Sequence, residues 1–498
     1  MNGFTSFYWH DYETFGIDPR RDRPAQFAGQ RTNAELEPIG EPLAIYCKPA
    51  RDVLPSPMSC LVTGITPQQA DRAGVIEAEF AARIHEELAE PGTCASGFNS
   101  IRFDDEFTRN LLYRNFYDPY AREWENGNSR WDVIDLARMC YALRPQGIEW
   151  PMRTVDRNAR SPVDARTPAP RDDISVPSFR LEDLTAANGI GHEHAHDALS
   201  DVNATIALAR LLRARQPRLF AFYFALRRKQ RAFELLDCLR QEPVLHVSSR
   251  YPAERGCIAM VVPLAVHPQQ PNKVIVYDLE ADPAALLELD PADIADRVFT
   301  PRADLPDGVE RVPLKAVSAN RSPALAPVSA LAGVDTARIR LDPERCRMHL
   351  QRLRDAAGIG AKAAEVFALS AGAGNEAADP DLALYHGFMG DADRKLLRDV
   401  RGTPPPQLAT RPFAFRDARC NELLFRYRAR NWPSTLSPDE SARWGQHCRT
   451  RLTTQTDAST LTLDDYFREI ALRRTTAEAA QVPILDALEQ WGREILQD

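Results

Sequence analysis

The chain has 498 residues, 44% of them hydrophobic, and a formal net charge of −8 at pH 7. This length and composition are typical of a globular protein with two to four domains and exclude a disordered chain. The negative charge disfavours a protein that coats nucleic acid over its whole surface, but it is compatible with a local basic groove.

The amino-terminal stretch MNGFTSFYWHDYETFG lacks the basic and apolar regions of a secretory signal, and no later apolar run has the length needed to span a bilayer. The nine cysteines are scattered and include no C-x-x-C pair. Such a pattern predicts reduced, mostly buried thiols and no zinc ribbon. We therefore expect a soluble cytoplasmic protein with no membrane partner.

The first 215 residues mix strand-like runs with helical periodicity and predict an α/β domain over 1–215. The predicted strands are FTSFYWHDYETFG and EPLAIYCKPA, and the predicted helices are FAARIHEELAE, DEFTRNLLYRNFY and LSDVNATIALARLLRAR. Within this domain, residues 152–175 are polar, rich in Pro, Arg and Asp, and without period. They predict a mobile surface insertion.

The pattern changes after residue 215. Short β-branched runs, PVLHVS, CIAMVVPLAV and KVIVYDL, predict a β-rich domain over 216–355. From 356 to 498 the patterns are helical, as in DADRKLLRDV, ARCNELLFRYRAR and PILDALEQWGREI. The sequence thus predicts three domains in this order.

Two acidic residues close the first predicted strand. In a strand, residues two apart lie on the same face, so Asp11 and Glu13 present their carboxylates together. Paired carboxylates suit Mg²⁺ or Mn²⁺. The spacing alone is weak evidence, because it also occurs at 104/106 and 342/344.

A second acidic group follows in FNSIRFDDEF. We expect an extended run that ends at Phe103 and a helix that begins near Asp104, with Phe107, Leu111 and Leu112 as its buried stripe. Asp104 is then explained either as a helix N-cap or as a ligand that faces the paired carboxylates. The local sequence does not decide between the two.

The third group is GIGHEHAHDALSD, in which His192, His194 and His196 alternate before an amphipathic helix. We expect Asp197 to start this helix, Asp201 to lie one turn in, and His196 to stand just before it. His196 and Asp201 can then face one cleft.

Together these groups provide what hydrolysis of a phosphodiester with two metal ions requires: a set of carboxylates and a base for the attacking water. The candidate residues are Asp11, Glu13, Asp104 and Asp201, with His196 as the base. Each lies at a strand end or helix start of one domain, so the ordered set is more specific than any single motif.

The three motifs, with H-x-x-x-x-D as the last, resemble those of the DEDDh 3′–5′ exonuclease superfamily. Further stretches resemble one bacterial branch of it over nearly the whole chain: DRPAQFA, VTGITPQQA, YRNFYDPYA, CYALRPQGI, SFRLE and YRARNWP. The resemblance implies an α/β ribonuclease-H-like exonuclease domain, an SH3-like β domain and an α-helical C-terminal domain that form a C-shaped clamp. It also implies a monomer that acts in DNA repair and recombination.

The implied activity is processive 3′→5′ hydrolysis of single-stranded DNA, with release of 5′-mononucleotides. Two Mg²⁺ ions are implied in each site, and Mn²⁺ can substitute. Asp11 bridges both ions, Glu13 and Asp201 bind one of them, Asp104 completes the second site, and His196 accepts the proton. Glu13 is also placed at the substrate.

The resemblance further assigns residues to the DNA path. Arg180 matches a position that contacts substrate near the site, and a set of further matches lies along the strand: Arg109, Tyr120, Trp124, Arg138 and Lys229. Aromatic faces and cations of this kind hold single strands without reading sequence. A protein partner is implied as well, the single-stranded DNA-binding protein, whose acidic C-terminal tail would contact Arg354. Pro343 and Ala332 stand where basic residues of that contact are expected.

Three alternatives remain open from the residues themselves. A ribonuclease can use the same carboxylates, since only the treatment of the 2′-hydroxyl separates the two. The histidine cluster has some likeness to a zinc hydrolase motif, although its aspartate and third histidine are transposed. A DNA-binding scaffold without catalysis would retain the basic groove and tolerate a gap in the carboxylate set.

Overall fold

The computed structural model describes residues 4–156, 173–192, 197–301, 304–306, 308–369 and 379–497. The chain forms two compact units. Unit 1 comprises Met1–Ser129, Glu193–Asn203 and Asn375–Asp498, and unit 2 comprises Arg130–His192 and Ala204–Gly374. Over the described ranges, none of the helices combines the length and apolar character that crossing a membrane requires.

Strands and helices alternate over the first 215 residues, as predicted. They are β1 (Ser6–Thr14), β2 (Pro24–Thr32), β3 (Pro38–Tyr46), α1 (Pro57–Thr63), α2 (Pro67–Ala73), α3 (Glu77–Ala89), β4 (Thr93–Gly97), α4 (Asp104–Arg114), β5 (Ser129–Asp132), α5 (Val133–Leu143), β6 (Met152–Asp156), β7 (Asp173–Pro177), α6 (Leu181–Ala187) and α7 (Ala198–Arg215).

The next stretch contains five further strands among helices: α8 (Pro217–Ala225), α9 (Lys229–Leu235), β8 (Val244–Val247), β9 (Ile258–Val266), β10 (Lys273–Asp278), α10 (Ala284–Glu288), α11 (Pro291–Phe299), β11 (Leu314–Ser318), β12 (Ala324–Pro327), α12 (Pro343–Asp355) and α13 (Ile359–Leu369). The described carboxyl-terminal part, 379–497, is helical: α14 (Asp391–Gly402), α15 (Arg419–Asn431), α16 (Pro438–Thr453), α17 (Leu463–Arg474) and α18 (Val482–Gln497).

Within unit 1 the strands follow the order β3-β2-β1-β4. The β1–β2 and β2–β3 pairs are antiparallel, whereas β1 and β4 are parallel. β1 lies between β2 and β4 and is buried along almost its whole length, whereas β3 is mostly exposed. A core of Tyr8, Tyr12, Phe27, Phe80 and Leu111 packs β1 and β2 against α3 and α4.

The carboxyl-terminal helices belong to unit 1 as well. One core joins the segment after β1 to these helices, with Phe15, Leu54, Tyr466, Leu488 and Trp491 among its members. The first and last parts of the chain therefore share a hydrophobic core, which stabilises the sheet that bears the candidate site.

Unit 1 also contains a buried ion network, in which two aspartates meet three arginines: Asp52, Asp381, Arg426, Arg430 and Arg451. Both carboxylates are completely buried. Asp52 precedes α1, whereas the other members lie in the carboxyl-terminal part of the chain. The network therefore ties these distant segments together by charge as well as by apolar contact.

Unit 2 contains an antiparallel sheet with the order β11-β10-β9-β8-β12. The predicted strands PVLHVS, CIAMVVPLAV and KVIVYDL are confirmed as β8, β9 and β10. In the described residues no strand follows β12, in agreement with the helical pattern predicted for the end of the chain. All nine cysteines are free thiols, and seven of them are buried.

One local prediction is wrong. FNSIRF is not an extended run: residues 98–103 are turns between β4 and α4, with Asn99 at φ 63°. Within the predicted insertion, residues 152–156 and 173–175 belong to β6 and β7, which pair as an antiparallel hairpin. Thr154, Val155, Ile174 and Val176 are β-branched and favour strands there. The rest of the insertion, 157–172, lies outside the described residues.

Candidate active site

The end of β1 places two carboxylates on one face. β1 pairs with β4 only as far as Trp9↔Ser96, so the last residues of β1 extend beyond its parallel neighbour. On the other side β1 remains paired with β2, with Asp11 opposite Ala28 and Glu13 opposite Gln26. Residues two apart point the same way, and the predicted pairing of the two carboxylates is confirmed.

Asp104 lies beside the part of β1 that extends beyond β4. It is the first residue of α4, and its Oδ1 accepts a hydrogen bond of 3.1 Å from the backbone N–H of Tyr12. The N-cap position belongs to Phe103, so the capping explanation for Asp104 is wrong. Instead the side chain satisfies a buried strand N–H that has lost its sheet partner, and this bond holds the carboxylate beside Asp11.

The start of α7 provides the remaining carboxylate. Asp197 caps the helix, because its Oδ2 accepts from Ser200 N at 3.2 Å and its carbonyl accepts from Asp201 N at 3.0 Å. Asp201 lies in the first turn, as predicted. Gln26 of β2 fixes this helix start to the sheet: its Nε2 donates to Asp197 Oδ1 at 3.2 Å and its Oε1 accepts from Ala198 N at 3.4 Å.

Asp11, Glu13 and Asp201 each present an oxygen atom to the same small volume. These atoms lie within 4.8 Å of one another. Asp104 is outside that group of three, but its charge raises the pKa of Asp11. The structure therefore brings together the four predicted carboxylates, three of them as a compact set.

The carboxylates repel one another strongly. Burial raises the pKa of Asp11 well above its usual range, and Asp104, Asp201 and Asp197 add to the effect. Burial likewise raises the pKa of Glu13 to about 9, with Asp11, Asp201 and Asp197 as the further causes. Buried like charges are stabilised only by protons or cations, so the site is built to accept positive charge.

A divalent metal ion fits this set. Every donor in the group is a carboxylate oxygen, the ligand that hard cations such as Mg²⁺ and Mn²⁺ prefer. Zinc sites use mainly histidine and cysteine, and the group contains neither among the described residues. His194 and His196 lie outside the described residues. His192 is described, and its Nδ1 is 3.3 Å from Thr185 Oγ1.

The residues predicted for the DNA path fall in both units. In unit 1, Trp124 is 66% exposed, and the Tyr120 ring lies 5.3 Å from the guanidinium of Arg109. Arg109 itself is buried and is held by Glu123 and Glu106, at 2.6 and 2.9 Å. This ion cluster fixes the cation beneath the Tyr120 ring.

In unit 2, Arg138 is buried and pairs with Asp135 at 2.8 Å, close to the Phe179 ring. Arg180 is exposed and lies 3.5 Å from Glu182, and Lys229 is exposed at the start of α9. Arg354, expected at the contact with the protein partner, donates to the carbonyl of Gln241 at 2.8 Å.

Gln26 is a site residue that lies outside the acidic and histidine motifs. It carries no charge and matches no metal-binding spacing, so only its place in DRPAQFA could have indicated it. Its role depends on the β1–β2 register, which places it opposite Glu13.

Comparison with known proteins identifies relatives of the whole chain. Family models match residues 8–209 (Exonuclease), 227–369 (Exonuclease I SH3-like domain) and 378–495 (Exonuclease I C-terminal domain). Exodeoxyribonuclease I of Escherichia coli is 44% identical over 494 residues, which cover 99% of this chain and 98% of that protein. The fold class predicted from the sequence is confirmed.

Solved structures agree. An exonuclease I of Methylocaldum szegediense is 52% identical, with a TM-score of 0.90 over 99% of both chains. The zinc-bound complex of Escherichia coli exonuclease I with single-stranded DNA is 44% identical, with a TM-score of 0.89 over 99% of this chain and 100% of that one. A structure described as SSB/Exonuclease I with the inhibitor CFAM is 43% identical, with a TM-score of 0.87 and the same coverage.

Proposed function

The chain belongs to the bacterial exodeoxyribonuclease I family, and on this premise we propose how it acts. It is an exonuclease of single-stranded DNA. We propose that it works processively from the 3′ end, releases 5′-mononucleotides and serves DNA repair and recombination. The observation that carries the proposal is the group of carboxylate oxygens from Asp11, Glu13 and Asp201, within 4.8 Å of one another.

The carboxylates are the proposed metal ligands. Asp11 is assigned to both of two Mg²⁺ sites, Glu13 and Asp201 to one, and Asp104 to the other; Mn²⁺ is the expected substitute. Bound ions would supply neutralisation of the scissile phosphate and activation of the attacking water. The Tyr12 N–H donor orients Asp104, and Gln26 holds the helix start that presents Asp201.

His196 is the proposed general base. It stands one residue before Asp197, the cap of α7. An imidazole has a pKa suited to accepting the proton of the attacking water near neutral pH.

The proposed DNA path combines aromatic faces and cations. Trp124 and Tyr120 would stack on bases, with Arg109 fixed beneath the Tyr120 ring. The exposed side chains of Arg180 and Lys229 would contact phosphates, and Arg138 is assigned to the same path. A single strand is held in this way without readout of its sequence, which suits an enzyme that degrades any strand.

The remaining assignments concern domains, partner and location. We propose the borders 1–215, 216–355 and 356–498, to which the family models come close at 8–209, 227–369 and 378–495. We further propose a cytoplasmic monomer whose partner is single-stranded DNA-binding protein, held by its acidic tail at basic residues such as Arg354. The SSB/Exonuclease I complex of a relative supports this partner.

Digestion of one oligodeoxynucleotide, labelled in parallel at its 3′ and 5′ ends, tests the proposal. With Mg²⁺, the 3′ label should appear at once as a mononucleotide. The 5′ label should pass from the full-length strand to a short end product, with few strands of intermediate length. The matched RNA strand should persist, which separates this enzyme from a ribonuclease with the same carboxylates. Asp11→Asn is the control for contaminating nuclease. Early release of the 5′ label, or equal digestion of RNA, would refute the proposal.

A further inference from the structure

Unit 1 contains a cavity of about 750 Å³, whose lining includes none of the site carboxylates. One wall is the basic face of α14, and the other comes from α3 and the segment after α4. The residues that matter for its chemistry are Arg394, Lys395, Arg398, Arg401, Arg122, His85 and Tyr117. Its size is that of a small-molecule site.

The wall formed by α14 concentrates cations on one helix face. Residues 394, 398 and 401 are spaced four and three apart, so they are neighbours on the helix surface and repel one another. Arg394 is paired with Asp118 and Asp391, at 3.4 and 3.5 Å. Lys395 and Arg398 are exposed and have no ion pair among the described residues. An anion would relieve this repulsion.

Arg401 is fixed at the edge of the cavity. Its guanidinium donates to the carbonyl of Phe116 and lies 3.8 Å from the centre of the Tyr117 ring. Burial lowers the pKa of Arg401, and Arg398 adds to this effect. A rigid cation beside a second, uncompensated cation is a common arrangement for binding a phosphate group.

Arg122 provides an independent sign of a ligand. Its side chain is completely buried, and its Nη2 donates to Asp105 at 2.6 Å. Nε and Nη1 are also buried, but they have no hydrogen-bond partner within the described part of the chain. Buried donors are rarely left without an acceptor, so these two groups have unused donor capacity in a residue that lines the cavity.

An aromatic surface lies in the same cavity. The rings of His85 and Tyr117 are 4.4 Å apart. Burial lowers the pKa of His85 to about 4, and Arg401 and Arg122 lower it further. The imidazole is therefore neutral at pH 7 and offers a flat face. Glu125 and Asp399 also line the cavity, as acceptors for the donors of a sugar or a base.

We propose that this cavity binds a nucleoside 5′-monophosphate. The phosphate lies against Lys395, Arg398 and Arg401, and the base packs on the His85 and Tyr117 rings. The ligands that fit this cavity have a phosphate monoester and a planar base in common. The choice of a mononucleotide over a free phosphate rests on the proposed function, which releases this product, whereas the anion site itself does not depend on it.

Calorimetric titration of the full chain with dAMP, deoxyadenosine and inorganic phosphate, all in EDTA, tests the proposal. EDTA removes the metal-dependent contribution of the carboxylate site. Binding of dAMP should be saturable and at least about tenfold tighter than that of deoxyadenosine, because charged donors act on its phosphate. Arg398→Glu should weaken the binding of dAMP at least about tenfold. Arg449→Glu, which reverses the charge of an exposed residue on α16, should leave the binding of dAMP unchanged.

The His85→Ala variant tests the contact with the base, because it should weaken the binding of dAMP and leave the binding of inorganic phosphate unaffected. The proposal is overturned if dAMP does not bind, if Arg398→Glu and Arg449→Glu behave alike, or if inorganic phosphate binds the wild type as tightly as dAMP. Failure of the proposed function would appear separately, as an absence of Mg²⁺-dependent DNA digestion by the wild type. In that digestion assay Arg398→Glu should remain active.

Discussion

Asp381 is the carboxylate on which the buried ion network depends, and Asp381→Asn is expected to destabilise the protein strongly. Three guanidiniums contact it, those of Arg430 at 2.5 Å, Arg426 at 3.0 Å and Arg451 at 3.3 Å. Burial alone would raise the pKa of Asp381, but Arg430 and Arg426 hold it well below its usual range. The carboxylate is therefore ionised at neutral pH and compensates the arginines.

The magnitude follows from these contacts. At 3 Å and an effective dielectric constant of 20, each pair attracts by about 5 kcal/mol before desolvation is subtracted. Removing one partner of a buried pair costs about 3–5 kcal/mol. We expect the upper part of this range, because the asparagine amide would also turn an N–H towards a guanidinium. Guanidinium chloride unfolding, followed by tryptophan fluorescence, measures the loss; Trp444 lies 5.7 Å from Arg430.

Asp71→Asn is the matched control. Its carboxylate pairs with Lys48 at 3.7 Å, but both side chains are more than 40% exposed. The same chemical change should cost less than about 1 kcal/mol there, because solvent screens the pair. If Asp381→Asn costs no more than Asp71→Asn, the network is not what holds these segments together and the reasoning is refuted.

Three further outcomes are expected. His196→Ala should lower turnover by about 10²–10⁴-fold with little change in DNA affinity, and equal single-turnover rates would end its assignment as the base. Gln26→Ala should lower turnover by about 10–100-fold with little effect on KM. Gln30 lies on the same strand, β2, and its amide donates to the carbonyls of Ile39 and Gly40 of β3, so Gln30→Ala should leave turnover unchanged. In acid, stability should fall as the pH drops below about 4, the unfolded value for aspartate. Burial would raise the pKa of Asp52, but Arg430 and its neighbours hold it well below that value, so Asp52→Asn should flatten this dependence of the unfolding midpoint on pH.

Much of the candidate site could be read from the sequence, because its geometry is local. A period of two residues places Asp11 and Glu13 on one face of β1, and helix signals place Asp201 one turn after its cap, Asp197. Secondary structure fixes these relations over a few residues, so no tertiary contact is needed to predict them.

Other features depend on partners far away in the chain. The bond from Tyr12 N to Asp104 joins residues 92 positions apart, and the contact of Gln26 with Asp197 joins residues 171 apart. The first explains why Asp104 is not a helix cap, and the second requires the β1–β2 register. Neither contact can be predicted from local periodicity.

The sequence alone determined the carboxylate set, the order of strands and helices around it, and the family resemblance. The tertiary structure decided which carboxylates meet, and it revealed the buried ion network, in which Asp52 meets Arg430 from 378 positions away. The physical reason is that periodicity reports the face on which a residue lies, while a buried charge is stable only where packing brings its counter-charge into contact.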